Sequence, residues 1–174
     1  MKNSIIKILA VVVFATLAVT SSFAQVTASA TATATIVTPI AISKTVDMNF
    51  GNVAASAIAG TVKLATDGTR IPSGGVTLPA TQGTVAAASF HVTGTGSYTY
   101  SIIVPLTDYT ITRATGTETM TVNAFISDPD VATGGALTAG TQTLLVGATL
   151  NVGIGQVAGT YTNATGFDVT VNYN

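Results

Sequence analysis

Few side chains in this chain have the type and spacing to do chemistry. His91 is the single histidine, so any nucleophile–histidine–acid arrangement would have to use it. It falls in the run Ser89-Phe90-His91-Val92-Thr93, in the opposite phase to Phe90 and Val92. In a strand that phase faces solvent. One histidine and no cysteine is too thin a set for zinc, which takes three or four such ligands. Asp128-Pro129-Asp130 brings two carboxylates together but lacks further acids nearby for calcium. Asp and Pro in that order favour a turn, because proline fixes φ and aspartate bonds its own backbone. Asp108 and Glu118 have the chemistry of a glycosidase pair, yet nothing in the sequence brings them together, and no tryptophan is present to stack a sugar. Asn163-Ala164-Thr165 fits a glycosylation acceptor, a tripeptide common by chance. Gly153, Gly155 and Gly159 lack phosphate-loop spacing and read as turn glycines. The expectation is a protein with no catalytic residues, no metal and no cofactor.

The elements that carry these residues are strands. Threonine, valine, glycine and alanine dominate after residue 24, and β-branched residues favour extended backbone. Alternating runs are expected over Ala41–Phe50, Gly60–Ala65, Ala87–Val92, Tyr98–Val104, Glu118–Ile126, Thr141–Val146 and Thr149–Ile154. Between the last two, Gly147-Ala148 reads as a break. Asp67-Gly68 signals a tight hairpin. Many short strands at this spacing imply an all-β, immunoglobulin-like antiparallel β-sandwich. Its expected core is Phe50, Phe90, Tyr100, Ile102, Val122, Leu150, Val152, Phe167 and Val169.

The first 24 residues read as a secretory signal peptide. Lys2 and Lys7 precede an apolar stretch over Ile8–Val19, and Ser22-Phe23-Ala24 has the small residues of a cleavage site. The stretch is short for a membrane span, which takes about 20 apolar residues. Export to the periplasm, cell surface or extracellular space is expected, with no membrane span in the mature chain. With no cysteine there is neither a lipid-anchor cysteine nor a disulfide. Beyond residue 24 four cations (Lys44, Lys63, Arg70, Arg113) stand against seven acids, a formal charge of −3. Four scattered cations build no basic patch, so nucleic acid is not an expected partner. Only 7% of the chain is charged, so hydroxyls and amides must cover its surface, a composition suited to side-by-side packing.

Two alternating segments flank the domain. Val26, Ala28, Ala30, Ala32, Ala34 and Ile36 share one face of an Ala/Thr segment, read as an extension strand over residues 25–37 ahead of a domain at 38–174. Phe167, Val169, Val171 and Tyr173 share one face of a last strand at the end of the sequence. Such a strand is either locked beside a neighbour or left as an edge that invites another chain.

Two stretches, Asn49-Phe50-Gly51-Asn52-Val53 and Gly96-Ser97-Tyr98-Thr99-Tyr100-Ser101-Ile102, resemble the N-terminal half of a domain family of unknown function found in secreted bacterial surface proteins. The run Leu144–Val152, then Gly159-Thr160-Tyr161 and Asp168–Tyr173, resembles its C-terminal half. The layout is also similar to archaic chaperone–usher pilins and their spore-coat relatives. That likeness implies an incomplete sandwich, an N-terminal extension that fills a groove, and a last strand with a penultimate tyrosine, here Tyr173. It also implies partners: further copies or related surface subunits, and a periplasmic chaperone. Two features differ from the pilin pattern. The central face of the extension is alanine, which buries less apolar area than larger aliphatics, and the cysteine pair frequent in such pilins is missing.

The resulting expectation is an exported structural subunit of a surface filament, pilus or extracellular matrix that assembles by strand addition. The alternative is a monomeric secreted module that binds carbohydrate or another surface. Whether the extension pairs within its chain or between chains stays open.

Overall fold

In the computed structural model, residues 24–174 are described; the signal-peptide expectation falls almost wholly outside them. Among the described residues thirteen strands run in the order β1 (Ala41–Val46), β2 (Asn49–Phe50), β3 (Gly60–Leu64), β4 (Arg70–Gly74), β5 (Val85–Ala86), β6 (Ala88–Thr93), β7 (Thr99–Ile103), β8 (Tyr109–Arg113), β9 (Thr119–Asp128), β10 (Gly135–Ala136), β11 (Thr141–Val152), β12 (Tyr161–Thr162) and β13 (Thr170–Tyr173). Every pairing is antiparallel, and the described residues contain no helix. The all-β sandwich expected from the alternation is therefore present.

The chain divides into two units after Thr35. Residues 24–35 carry no strand and are exposed throughout. The extension strand expected over residues 25–37 is thus not formed in the single chain. Val26, Ala28, Ala30, Ala32, Ala34 and Ile36 are all exposed. A strand needs a hydrogen-bonding neighbour to exist, and alanine methyls gain little from burial on their own.

From Ile36 onward the strands form two facing sheets and one short pair. The larger sheet has the order β1-β6-β11-β9-β8-β12. The hairpin β3–β4 joins it through β11, whose first half pairs with β6 and second half with β3. Asp67 and Gly68 form the β3–β4 turn, as expected; Gly68 is left-handed (φ 85°) and Asp67 Oδ1 accepts the Thr69 N–H at 2.8 Å. The smaller sheet is β10-β7-β13, and β2 pairs with β5.

Two expected boundaries differ. No break occurs at Gly147-Ala148, because β11 runs through them. Gly147 serves close approach instead of a turn: a Cβ there would lie 2.3 Å from the Leu64 carbonyl oxygen. The run Ala41–Phe50 is not one strand. It pairs with β6 through Val46, with a register irregularity between Lys44 and Val46, and then crosses to pair with β5 at Asn49–Phe50.

The core lies between the sheets. Val62, Phe90, Val92, Leu144, Val146 and Leu150 come from the larger sheet, and Tyr100, Ile102 and Val171 from the smaller. Tyr100 is fully buried, and its hydroxyl donates to Gln142 Oε1 at 2.7 Å. Burial raises the Tyr100 pKa above its ordinary value. Of the nine expected core residues, Phe50, Phe167 and Val169 are only partly buried. Phe50 and Phe167 line an open groove.

Candidate assembly groove and open strand edge

One end of the larger sheet keeps its inner face partly uncovered. Tyr109 pairs with Val122, Ile111 with Met120 and Val122 with Leu150, so these side chains share that face. Across from them stands the segment Asp47–Ala55, which includes β2; Phe167 and residues 156–163 border the same space. The cleft has a volume of about 970 Å³. Beyond Phe167 a second cleft of about 370 Å³ shares Tyr109, Gly166 and Phe167 with the first, so these residues form the partition between the two.

Phe167 is held by three aromatic neighbours. Its ring centroid lies 5.0 Å from Phe125, 5.8 Å from Tyr109 and 6.4 Å from Phe90. Such edge and tilted pairs favour the quadrupoles of the rings. The facing wall is held by Arg70. One guanidinium nitrogen donates to the Phe50 carbonyl at 2.7 Å and to the Asn52 carbonyl at 2.9 Å. On the same segment, the Asn52 N–H donates to the Gln82 carbonyl at 2.7 Å, and Ala54 and Thr77 exchange two bonds at 3.0 Å.

From Phe167 at the groove the chain runs into β13, whose single strand neighbour among the described residues is β7. The Asn174 N–H donates to the Thr99 carbonyl, which sets the parity of the ladder. Thr170 and Asn172 therefore turn their main-chain groups toward β7, while Val171 and Tyr173 turn theirs to the open side. The expected alternation is present: Phe167, Val169, Val171 and Tyr173 are wholly or partly buried while Asp168, Thr170 and Asn172 are exposed.

The other edges are blunted. β4 contains Pro72, which donates no ladder bond. β1 carries Lys44 and a register irregularity. β10 and β12 are two residues long. Proline, lysine, bulges and shortness all discourage edge pairing. β13, with sequence Thr-Val-Asn-Tyr, has none of these devices.

Of the groove's lining residues only Asp47 is charged, and the other charged side chains lie elsewhere on the domain. Arg113 donates to both carboxylate oxygens of Glu118 at 2.7 and 3.0 Å. That bonding holds the Glu118 carboxyl below its ordinary value and raises the Arg113 guanidinium. His91 is exposed on β6, as its phase implied, opposite Ser43 and Thr143. Asp130 caps a turn by accepting the Ala132 N–H at 2.8 Å. Asn163 is engaged on both amide atoms, with the Thr110 carbonyl and the Thr165 N–H. Asp108 bonds Asn123, not Glu118. Among the described residues no three His, Cys, Asp or Glu side chains gather as a metal site would require.

A family model for a domain of unknown function, DUF4402, matches residues 40–173. The chain belongs to this family. No curated protein and no solved structure matches it. The DUF4402 match spans β1 through β13, so the groove and the open edge are parts of the family domain, whereas the Ala/Thr segment falls outside it.

Sequence reasoning did not find Arg70 or the groove. Arg70 follows an unremarkable hairpin turn in the sequence, and its two acceptors lie 18 and 20 residues earlier. The signal that was available is the scarcity of cations: an arginine in a chain of so few charges needs a structural reason.

Proposed function

We propose that this DUF4402 protein is an exported structural subunit of a bacterial surface filament, pilus or extracellular matrix, and that it assembles by strand addition. The observation that carries the reading is β13. Among the described residues it is the one edge of the facing sheets left without a blunting device, and its first residue Thr170 and the preceding Gly166 and Phe167 line open clefts. An extended segment added there gains main-chain hydrogen bonds, and its alternate side chains enter the groove.

The Ala/Thr segment has the right chemistry for such an occupant. It alternates with period two, is uncharged from Gln25 to Ser43, and forms no strand in the single chain. Its eleven residues from Val26 to Ile36 would span about 36 Å when extended, ample to cover β13. The likeness to archaic chaperone–usher pilins supports the same reading, as does the pattern of a signal peptide in residues 1–24. Subunits of the same or related type are the partners, with a periplasmic chaperone to shield the edge before assembly.

The test is deletion of residues 25–36 from the mature protein. The shortened chain should lose the ability to form polymers in size-exclusion chromatography, and a synthetic peptide of residues 25–37 should bind it and block growth of intact protein. A deletion that leaves oligomeric state and stability unchanged would overturn the reading. A compact monomer that retains a glycan column ligand would favour the monomeric binding module instead.

A further inference from the structure

We infer that Tyr173 is a mechanical clasp, which passes load on the chain N-terminal to Thr38 into the last strand before it reaches β1. Thr38 precedes β1 by three residues and is fastened at both of its main-chain groups. Its N–H donates to Thr95 Oγ1 at 2.7 Å, and its carbonyl accepts the Tyr173 hydroxyl at 2.9 Å. The same hydroxyl accepts the Thr95 N–H at 2.7 Å, and Thr95 Oγ1 also donates to the Thr38 carbonyl at 3.2 Å. Three segments distant in sequence are thereby closed into one ring: residue 38, the turn after β6, and the end of β13.

The surroundings keep that ring in place. Tyr98 packs edge-on against Tyr173 with centroids 5.5 Å apart. Gly94 leaves the room the hydroxyl needs, since a Cβ there would lie 2.1 Å from the Tyr173 oxygen. β1 is an edge strand held on one side by β6, and without the clasp a pull at its first residue would peel it bond by bond. With the clasp, Thr38 must first come away from Thr95 and from Tyr173. Tyr173 belongs to β13, the strand at which the proposed function places a neighbour's segment. The inference rests on that reading only for its biological use, because the load path belongs to the single domain.

The chain has no cysteine, so unique pulling handles can be introduced. A28C with T115C loads the domain through Thr38, and S73C with T115C loads it through β4. In force spectroscopy of the otherwise intact chain, Y173F should lower the first unfolding force of the Ala28 pair and leave that of the Ser73 pair unchanged. Hydrogen exchange at Ala41–Val46 should quicken by roughly tenfold or more in Y173F, as expected when the partly buried Thr95 N–H and the exposed Thr38 carbonyl both lose the hydroxyl that joins them. T95V, which removes the other side-chain partner of Thr38, should act in the same direction. An equal drop in both pulling geometries would make Tyr173 a general stabiliser, and no drop in either would remove the clasp. Each of these results overturns the inference. None depends on polymerisation, so the strand-addition reading fails or stands separately.

Discussion

The rings of Phe125 and Phe167 stand 5.0 Å apart, tilted by 51°, and Phe167 lines both clefts that meet at its ring. Phe125 is buried on β9, while Phe167 lies ahead of β13, outside any ladder. The contact therefore ties the entrance of the open-edged strand to the larger sheet. Replacing Phe167 with Ala should merge the two clefts and cost about 2–4 kcal/mol, below the upper range for a large core aromatic because the ring is partly exposed. Urea denaturation checks this, and a loss below about 1 kcal/mol would show that the ring contributes no packing.

Arg70→Met should destabilise the wall of the groove. The change keeps much of the aliphatic stem but leaves the Phe50 and Asn52 carbonyls without their donor. The expected cost is about 1–3 kcal/mol. The readout specific to the wall is faster hydrogen exchange over Met48–Val53, with exchange in β11 unchanged. A uniform change across the domain would assign Arg70 a global role instead.

Much of the fold was legible because strand alternation is a local property. Val62 and Leu64, Phe90 and Val92, and Val171 are buried where the period placed them, and Asp67-Gly68 turns where its residues require it. What was not legible depends on partners distant in sequence. Gly147-Ala148 looks like a break until Leu64 is seen pressing against Gly147. Ala41–Phe50 reads as one strand until its second part is seen to pair with β5. The groove arises because the inner face formed by Tyr109, Ile111 and Met120 is left partly open, and no local pattern reports where a facing sheet stops. The extension differs for another reason: its strand needs an acceptor, and alternation alone does not supply one.

Acid should weaken two local contacts before it unfolds the core. The Asp67 carboxyl is held below its ordinary value first by the Thr69 backbone N–H, and Glu118 first by the Arg113 side chain. Both groups have depressed folded-state values. Their contribution is fully present above the unfolded carboxyl values and is lost as pH falls through the lower folded ones. NMR titration should therefore show Glu118 protonating below an ordinary glutamate, and Arg113→Gln should move it back up. If the Glu118 value is the same in Arg113→Gln, the ion pair is not populated in solution.

The last prediction concerns the residue that aims Phe125. Asn123 pairs with Thr149 and Ile126 with Gly147, so Ala124 and Phe125 together oppose Ala148 alone. This is a β-bulge, and Ala124 adopts a left-handed backbone with φ 47°. The bulge reverses the phase of β9, so that Val122 and Phe125, three residues apart, are both buried. Without it Phe125 would face solvent and Phe167 would lose that ring. The methyl of Ala124 is exposed, so its replacement changes backbone preference and little packing. A left-handed alanine costs about 1–2 kcal/mol, and glycine relieves this while gaining freedom in the unfolded chain worth about 0.4–1 kcal/mol. Ala124→Gly should then be neutral or stabilising by up to about 1 kcal/mol, an unusual sign for glycine within a strand. Ala124→Val should destabilise by about 2 kcal/mol or more, since a branched side chain tolerates positive φ poorly. Thermal or urea unfolding orders the three proteins, and the nuclear Overhauser contact between the Phe125 and Phe167 rings should weaken in the valine variant alone. A valine variant as stable as the parent, with that contact intact, would mean that Phe125 reaches Phe167 without a left-handed residue at position 124.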